Sequence, residues 1–285
     1  MAVKTGSAEA LNDVVASLVM DFNGSVTHSE AGSEWTPYGA PVLSSAQSVS
    51  GEKSLYLDGE SYLQAKDTRP FDLPGPFTLE AWIFPQQFVT DHYGGATFTV
   101  FSRWLHGVRT LYLVNIDRID DNTGKLTFYT DFAGRAAIES KSSITLNQWT
   151  HIAVTRDSEK VVRLFINGKM EAEKRITQNF TSTDYPMTIG ASSNAMRKSI
   201  GYIDEWHVYK SCLYTGDFKP SSTGRPEISQ GGESSRSFVN PAEGLCGCHC
   251  GFSAADEIRK FKGLLDDGII TQSEFDAQKK KLLGL

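Results

Sequence analysis

The chain has 285 residues, a hydrophobic fraction of 40% and an aromatic fraction of 11%, enough to fill a sizeable core and to exclude an intrinsically disordered protein. Its formal charge of −6, with no clustered Lys/Arg excess, excludes a surface devoted to nucleic acid, because neutralising phosphates needs such a cluster. With four cysteines, three of them packed between Cys246 and Cys250, a disulfide framework is excluded as what stabilises the bulk of the chain.

Residues 1–14 form an N-terminal segment. Lys4, Glu9, Asn12 and Asp13 interrupt its apolar residues, so no signal-peptide core is expected and synthesis in the cytoplasm is the expectation. No run approaches the ~18 apolar residues of a membrane span, so no insertion into a membrane is expected.

From residue 15 to 219 short apolar segments alternate with Gly, Asn, Asp and Pro punctuation, which predicts a sandwich or barrel of β-strands. The clearest strands are Ser54 to Leu57, Phe77 to Phe84, Thr97 to Phe101, Leu111 to Ile116, Lys125 to Thr130, His151 to Arg156, Val161 to Ile166 and Gly201 to Tyr209. In Val161 to Ile166 the alternation places Val162, Leu164 and Ile166 on one face and Arg163 on the other. Asn167-Gly168 supplies the positive φ angles of a tight hairpin turn. Asp58-Gly59 and Asn122-Thr123-Gly124 are expected to turn the chain in the same way.

Residues 220–252 shift to Ser, Gly, Pro and Glu and read as a flexible linker that ends in the cysteine cluster. Residues 253–285 follow a different grammar. Ser253 caps a helix carrying the apolar stripe Ile258, Phe261, Leu264 and Leu265, and Gly268 ends it. A capping box at Thr271 to Glu274 then opens a second helix. This hairpin of about 33 residues buries too little apolar surface to stand alone, so it is expected to dock or self-associate.

Six segments in order sharpen the class. Leu18 to Gly24 (LVMDFNG), Gly51 to Gly59 (GEKSLYLDG), Phe77 to Pro85 (FTLEAWIFP), Trp149 to Arg156 (WTHIAVTR), Leu164 to Gly168 (LFING) and Gly201 to Tyr209 (GYIDEWHVY) resemble the strands of laminin-G-like, concanavalin A-like lectin/glucanase domains. The resemblance implies a mainly β fold, an antiparallel β-sandwich of the jelly-roll kind, over residues 15–219. Asp256 to Gly284 resembles the short C-terminal domain called SHOCT, which implies oligomerisation or anchoring. The whole arrangement resembles phage virion-associated proteins.

Candidate sites follow from the chemistry of the loops. Sugars are gripped by aromatic faces and planar polar groups, and Tyr93, Arg103, Trp104, His106 and Arg109 supply both; a core role for Trp104 is the alternative. Trp82, Trp149 and Trp206 lie inside strands and are expected to pack. Asp21 and Asp204 stand at matching family positions in the first and last strands and are the candidate calcium ligands, with Asp117, Asp120, Asp121 and Asn122 as a second acidic cluster or a solvated hairpin tip. Cys246, Cys248, His249 and Cys250 are enough ligands for zinc, but alternating cysteines strain to face one ion, so zinc is disfavoured and interchain disulfides are the alternative. A retaining glycosidase would need two carboxylates about 5 Å apart. Glu80 stands alone in an apolar strand, and adjacent Asp204 and Glu205 are expected on opposite faces. His28, His151 and His207 show no partner and are expected to be structural.

The expectation is therefore a non-catalytic glycan-binding or adhesive protein, a virion tail or capsid component that assembles through its hairpin and meets cell-surface glycans after lysis. The alternatives are a polysaccharide hydrolase or lyase on the same scaffold, and a protein–protein module without sugar affinity.

Overall fold

The computed structural model describes residues 18–27, 33–90, 95–105, 109–130, 136–182, 185–192 and 197–222, together with Gln272, Asp276 and Lys280. Sixteen strands are present among them: β1 (Leu18–Met20), β2 (Trp35–Tyr38), β3 (Val42–Ser44), β4 (Ser54–Asp58), β5 (Tyr62–Ala65), β6 (Phe77–Gln87), β7 (Val89–Thr90) and β8 (Ala96–Leu105) in the first half. The second half contributes β9 (Arg109–Arg118), β10 (Thr123–Tyr129), β11 (Ala136–Thr145), β12 (Thr150–Arg156), β13 (Val161–Ile166), β14 (Lys169–Arg175), β15 (Thr188–Ile189) and β16 (Ile200–Tyr209). All eight strands expected from the sequence are present, most of them one to five residues longer.

The strands form two antiparallel sheets. The first runs β14-β13-β12-β6-β16-β4-β3, with β1 also paired to β16; the second runs β11-β10-β9-β8-β15-β5-β2, with β7 paired to β8. Alternation explains why the sheets face each other. Along β6, Phe77, Leu79, Ala81 and Ile83 enter the core between the sheets, while Thr78, Glu80, Trp82 and Phe84 take the other face. The second sheet contributes Phe98, Val114, Ile116, Leu126 and Phe128 to the same core.

The turn chemistry is partly as expected. Asn167 and Gly168 have φ of 48° and 75°, the double positive φ of a type I′ hairpin. A Cβ on Gly168 would sit 2.0 Å from the Phe218 carbonyl, so the glycine also admits the chain that returns over it. The turn before β10 differs: Asp120 makes it, accepting the N–H groups of Asn122 and Thr123 at 2.8 Å each. Gly124 lies inside β10, where a Cβ would meet Ile116 and Phe88 at 2.8 Å.

Two irregularities shape the outer face of the first sheet. In β16 the pairing with β6 jumps from Asp204↔Trp82 to His207↔Glu80, so Glu205 and Trp206 together oppose Ala81, and Glu205 takes a φ of 46°. This bulge interrupts strict alternation. After β16, residues 211–221 return as a strap over the outer face of the first sheet. Tyr214 and Phe218 stack there at 3.5 Å, packing with Ala153 and Phe165 in a second apolar cluster. Thr155 Oγ1 donates to the Tyr214 carbonyl at 2.9 Å and Trp82 Nε1 to the Ser221 carbonyl at 3.0 Å. In the C-terminal region Gln272, Asp276 and Lys280 are helical, and the Gln272 amide donates to Asp276 at 3.0 Å.

Candidate functional site

Trp104 lies near the end of β8, half-buried on the outer side of the second sheet. Two register shifts in β8, between Thr99 and Phe101 and between Arg103 and Trp104, re-aim the side chains around it. Phe101 turns inward, onto Trp206 at 4.7 Å. Neighbouring strands bring further groups to the outer face: Thr99 from β8, Asn115 and Asp117 from β9, and Thr127 and Tyr129 from β10. Arg197, from the chain between β15 and β16, holds its guanidinium 5.0 Å over the Trp104 ring and 5.5 Å from the Tyr129 ring, both within cation–π range.

A hydrogen-bond network fixes these rings. Asp117 Oδ2 accepts from Thr127 Oγ1 at 2.8 Å and from the Tyr129 hydroxyl. Burial, followed by the charge and hydrogen bond of Asp117, raises the Tyr129 pKa, so the phenol stays a donor. In the amide orientation that satisfies its surroundings, Asn115 donates to the Val114 carbonyl at 3.2 Å and to Thr99 Oγ1 at 3.0 Å, and accepts from Arg197 at 3.1 Å. The result is a patch of the part-exposed Trp104 and Tyr129 rings with the Asp117 carboxylate and Arg197 guanidinium, laid over the buried Thr99, Asn115 and Thr127. Such a combination can stack on a sugar's C–H face and bond its hydroxyls.

The other expected members of this patch fare differently. Arg103 is a correction: its side chain is 0% exposed and paired to Asp72 Oδ1 at 2.6 Å. Its remaining N–H groups donate to the carbonyls of Ser182 and Tyr185. The first shift in β8 turns Phe101 and Arg103 inward, where Arg103 holds chain segments together rather than meeting a ligand. Tyr93 and His106 lie outside the described residues. Arg109 begins β9, but its side chain lies outside them too. Of the tryptophans expected inside strands, Trp149 instead stands just before β12; Trp206 is fully buried, whereas Trp82 and Trp149 are half-buried. Trp82 packs on His151 at 5.3 Å and Trp149 on Phe84 at 5.5 Å.

The candidate calcium ligands have become loop clasps. Asp204 Oδ2 accepts the N–H groups of Val49 and Ser50 at 2.8 and 3.2 Å, and its Oδ1 accepts that of Glu205 at 2.9 Å. Asp21 Oδ1 accepts from the Asn23 N–H at 3.1 Å. Backbone donors aimed at these oxygens compete with the oxygen-only shell that calcium takes. Among the described residues no group of three or more His, Cys, Asp or Glu side chains converges as metal ligands. Asp120, of the second acidic cluster, caps its own turn. Chelation with EDTA is accordingly expected to leave the melting temperature within about 1 °C, because a ligand bound at a hundred times its Kd would stabilise by about 2.7 kcal/mol; a fall of several degrees would restore the cation. Cys246, Cys248, His249 and Cys250 lie outside the described residues.

Groups that seemed isolated in the sequence meet beneath the strap. His151 Nε2 and His207 Nδ1 each lie 3.6 Å from Glu80, on its two oxygens, and His207 Nε2 lies 3.3 Å from Glu205. Glu205 and His207 stand two apart and so share a side, and the bulge in β16 turns His207 to the outer face beside Glu80 instead of into the core. All four side chains are buried. Two carboxylates flanking a histidine have the chemistry of an acid–base pair, but the strap and sheet close them off from a polysaccharide, so they act as a structural ion network.

A family model described as the concanavalin A-like lectin/glucanases superfamily matches residues 57–217, and one described as the short C-terminal domain matches residues 256–283. No curated protein matches the chain. Among solved structures, domain 4 of AbnA, an extracellular arabinanase of Geobacillus stearothermophilus, in complex with arabinotriose, is similar at a TM-score of 0.52 and 19% identity, covering 70% of this chain and 94% of its own. The binding domain of Paraclostridial Mosquitocidal Protein 1 is similar at a TM-score of 0.50 and 17% identity, covering 65% of this chain and 46% of its own. The binding domain of botulinum neurotoxin DC, in complex with rat synaptotagmin II, gives a TM-score of 0.50 at 12% identity, covering 72% of this chain and 50% of its own. The chain thus spans about half the length of the two toxin domains. At these identities the likeness is one of fold.

Proposed function

We propose, from the premise that this chain belongs to the concanavalin A-like lectin/glucanases superfamily, that it is a non-catalytic glycan-binding protein whose site is the outer patch around Trp104. The observation that carries the reading is the set of Trp104, Tyr129, Arg197, Asp117 and Asn115 on one sheet face, braced by its own hydrogen bonds. A similar fold crystallised with arabinotriose, and the burial of Glu80 and Glu205, support binding over turnover. A glycan array with wild type and Trp104→Ala tests it. Wild type is expected to bind a defined glycan group, and the variant to lose about tenfold in affinity, the effect of one aromatic face at 1.4 kcal/mol. Wild type that binds no glycan would favour a protein–protein module instead.

The finer setting, a virion surface component assembled through residues 253–285 and facing cell-surface glycans, rests on the tail and on the resemblance drawn from sequence. Sedimentation of the full chain against a chain ending at residue 222 tests assembly, and antibody labelling of particles tests the virion. A monomer in both forms would sink assembly through the tail.

A further inference from the structure

The patch has a charge pattern that bears on which sugars it can hold. Arg197 is already engaged: its guanidinium faces the rings of Trp104 and Tyr129 and donates to the Asn115 amide oxygen at 3.1 Å. Asp117 is engaged on one oxygen only. Its Oδ2 takes both hydroxyl donors, Thr127 and Tyr129. Its Oδ1 faces Asn115 at 3.5 Å, a contact with no donor once that amide is turned to satisfy Val114, Thr99 and Arg197. Asp117 is half-exposed at the edge of the patch, and among the described residues no other donor reaches Oδ1. An ionised carboxylate is an acceptor and nothing else. What completes it is a ligand O–H, and what it opposes is a second negative charge. Of the charged residues on the neighbouring strands, Glu139, exposed on β11 opposite Thr127, carries the same sign, and Lys125, opposite Asp117 on β10, the other.

Resting on the glycan reading above, we infer that Asp117 selects the ligand class: neutral saccharides that offer a hydroxyl to Oδ1, with uronate- or sialate-bearing sugars turned away. Arg197 is held against two rings and an amide within the protein, which leaves Asp117 as the group with an open acceptor at the edge of the patch. A charge-assisted hydrogen bond gained by the neutral sugar and a like-charge contact suffered by the acidic one act in the same direction.

The test is made first on the ligand side, which leaves the protein unchanged. Wild type is titrated with a uronate oligosaccharide and with the same oligosaccharide methyl-esterified; the ester is expected to bind about tenfold tighter. Asp117→Asn is then expected to shrink that difference to under about threefold, while Glu139→Gln leaves it in place. An acid that binds as well as its ester, or a difference that follows Glu139 instead of Asp117, would overturn the inference. Wild type that binds neither probe nor any neutral glycan on an array would instead remove the glycan reading, a separate outcome.

Discussion

Replacing Glu80 by alanine is expected to destabilise the sandwich by about 3–5 kcal/mol, the range seen when one partner of a buried ion pair is deleted. Glu80 is 3% exposed and lies between His151 and His207. Burial alone would raise its pKa, but the two histidines beside it outweigh that and hold the carboxyl at about 2. Burial would likewise lower His207, yet Glu205 and Glu80 hold it up at about 9. Without Glu80, His151 and His207 remain beneath the strap with one carboxylate fewer. Tyr209 and Tyr214, whose pKa values are raised by burial and then by Glu80, lose that neighbouring charge as well. Urea denaturation at pH 7 measures the effect; a loss under 1 kcal/mol would show that the network contributes little.

The same groups give the stability a shape in pH. His207 is raised from 6.5 to about 9, so its contribution is complete below 6.5 and is lost as pH rises through 9. Glu80 is lowered from 4.5 to about 2, so its contribution is complete above 4.5 and is lost as pH falls towards 2. Asp204 opposes this modestly. Burial, only partly countered by the N–H groups of Val49 and Ser50, raises it from 3.8 to about 6, so the fold gains from its protonation as pH falls through 6. Wild type should be most stable between 4.5 and 6.5, and Glu80→Ala should flatten the decline towards pH 9.

Trp206→Ala is expected to cost about 3–5 kcal/mol, the range for truncating a buried large aromatic. Trp206 is 0% exposed and stacks on Phe101 at 4.7 Å. Trp35 stands edge-on to it at 5.6 Å and Phe71 at 6.2 Å. Its indole N–H donates to the Val100 carbonyl at 3.3 Å, which joins the two sheets through one side chain. Phe101 comes from β8 in the middle of the second sheet's path and Trp35 from β2 at its end, so the cavity left by truncation has walls anchored in several strands and little freedom to collapse. Thermal unfolding measures the loss, and a fall in Tm of under about 2 °C would mean that the neighbours close over the gap.

Much of the fold was legible because strand alternation and turn chemistry are local. Val162, Leu164 and Ile166 are buried as the alternation in β13 requires, and Asn167-Gly168 turns where it should. What escaped depends on bulges. One extra residue in β8 sends Arg103 inward, and another in β16 turns His207 outward to Glu80; neither leaves a signal in hydrophobic periodicity. The Glu80 network escaped for a second reason: its members come from β6, β12 and β16, and only the finished sheet makes them neighbours. A Glu inside a run as apolar as Phe77 to Phe84 was the available signal, since a buried carboxylate needs a partner. At the patch, Trp104 was reachable as an aromatic beside polar residues, but Tyr129 and Arg197 were not, because strand order alone brings them to it.

The position of β16 bears on how the protein is made. It is the last strand among the described residues, yet it lies inside the first sheet, bonded to β6, β4 and β1. During synthesis at roughly 5–20 residues per second, β6 and β4 wait without their shared neighbour until residue 209 leaves the ribosome. The earlier strands can pair locally, as β8, β9 and β10 do in succession, but the sandwich closes only after translation has passed its final strand. Closure is then a long-range step of the kind that takes milliseconds to seconds in all-β proteins, and the open edge of β6 is the surface a nascent-chain chaperone would shield.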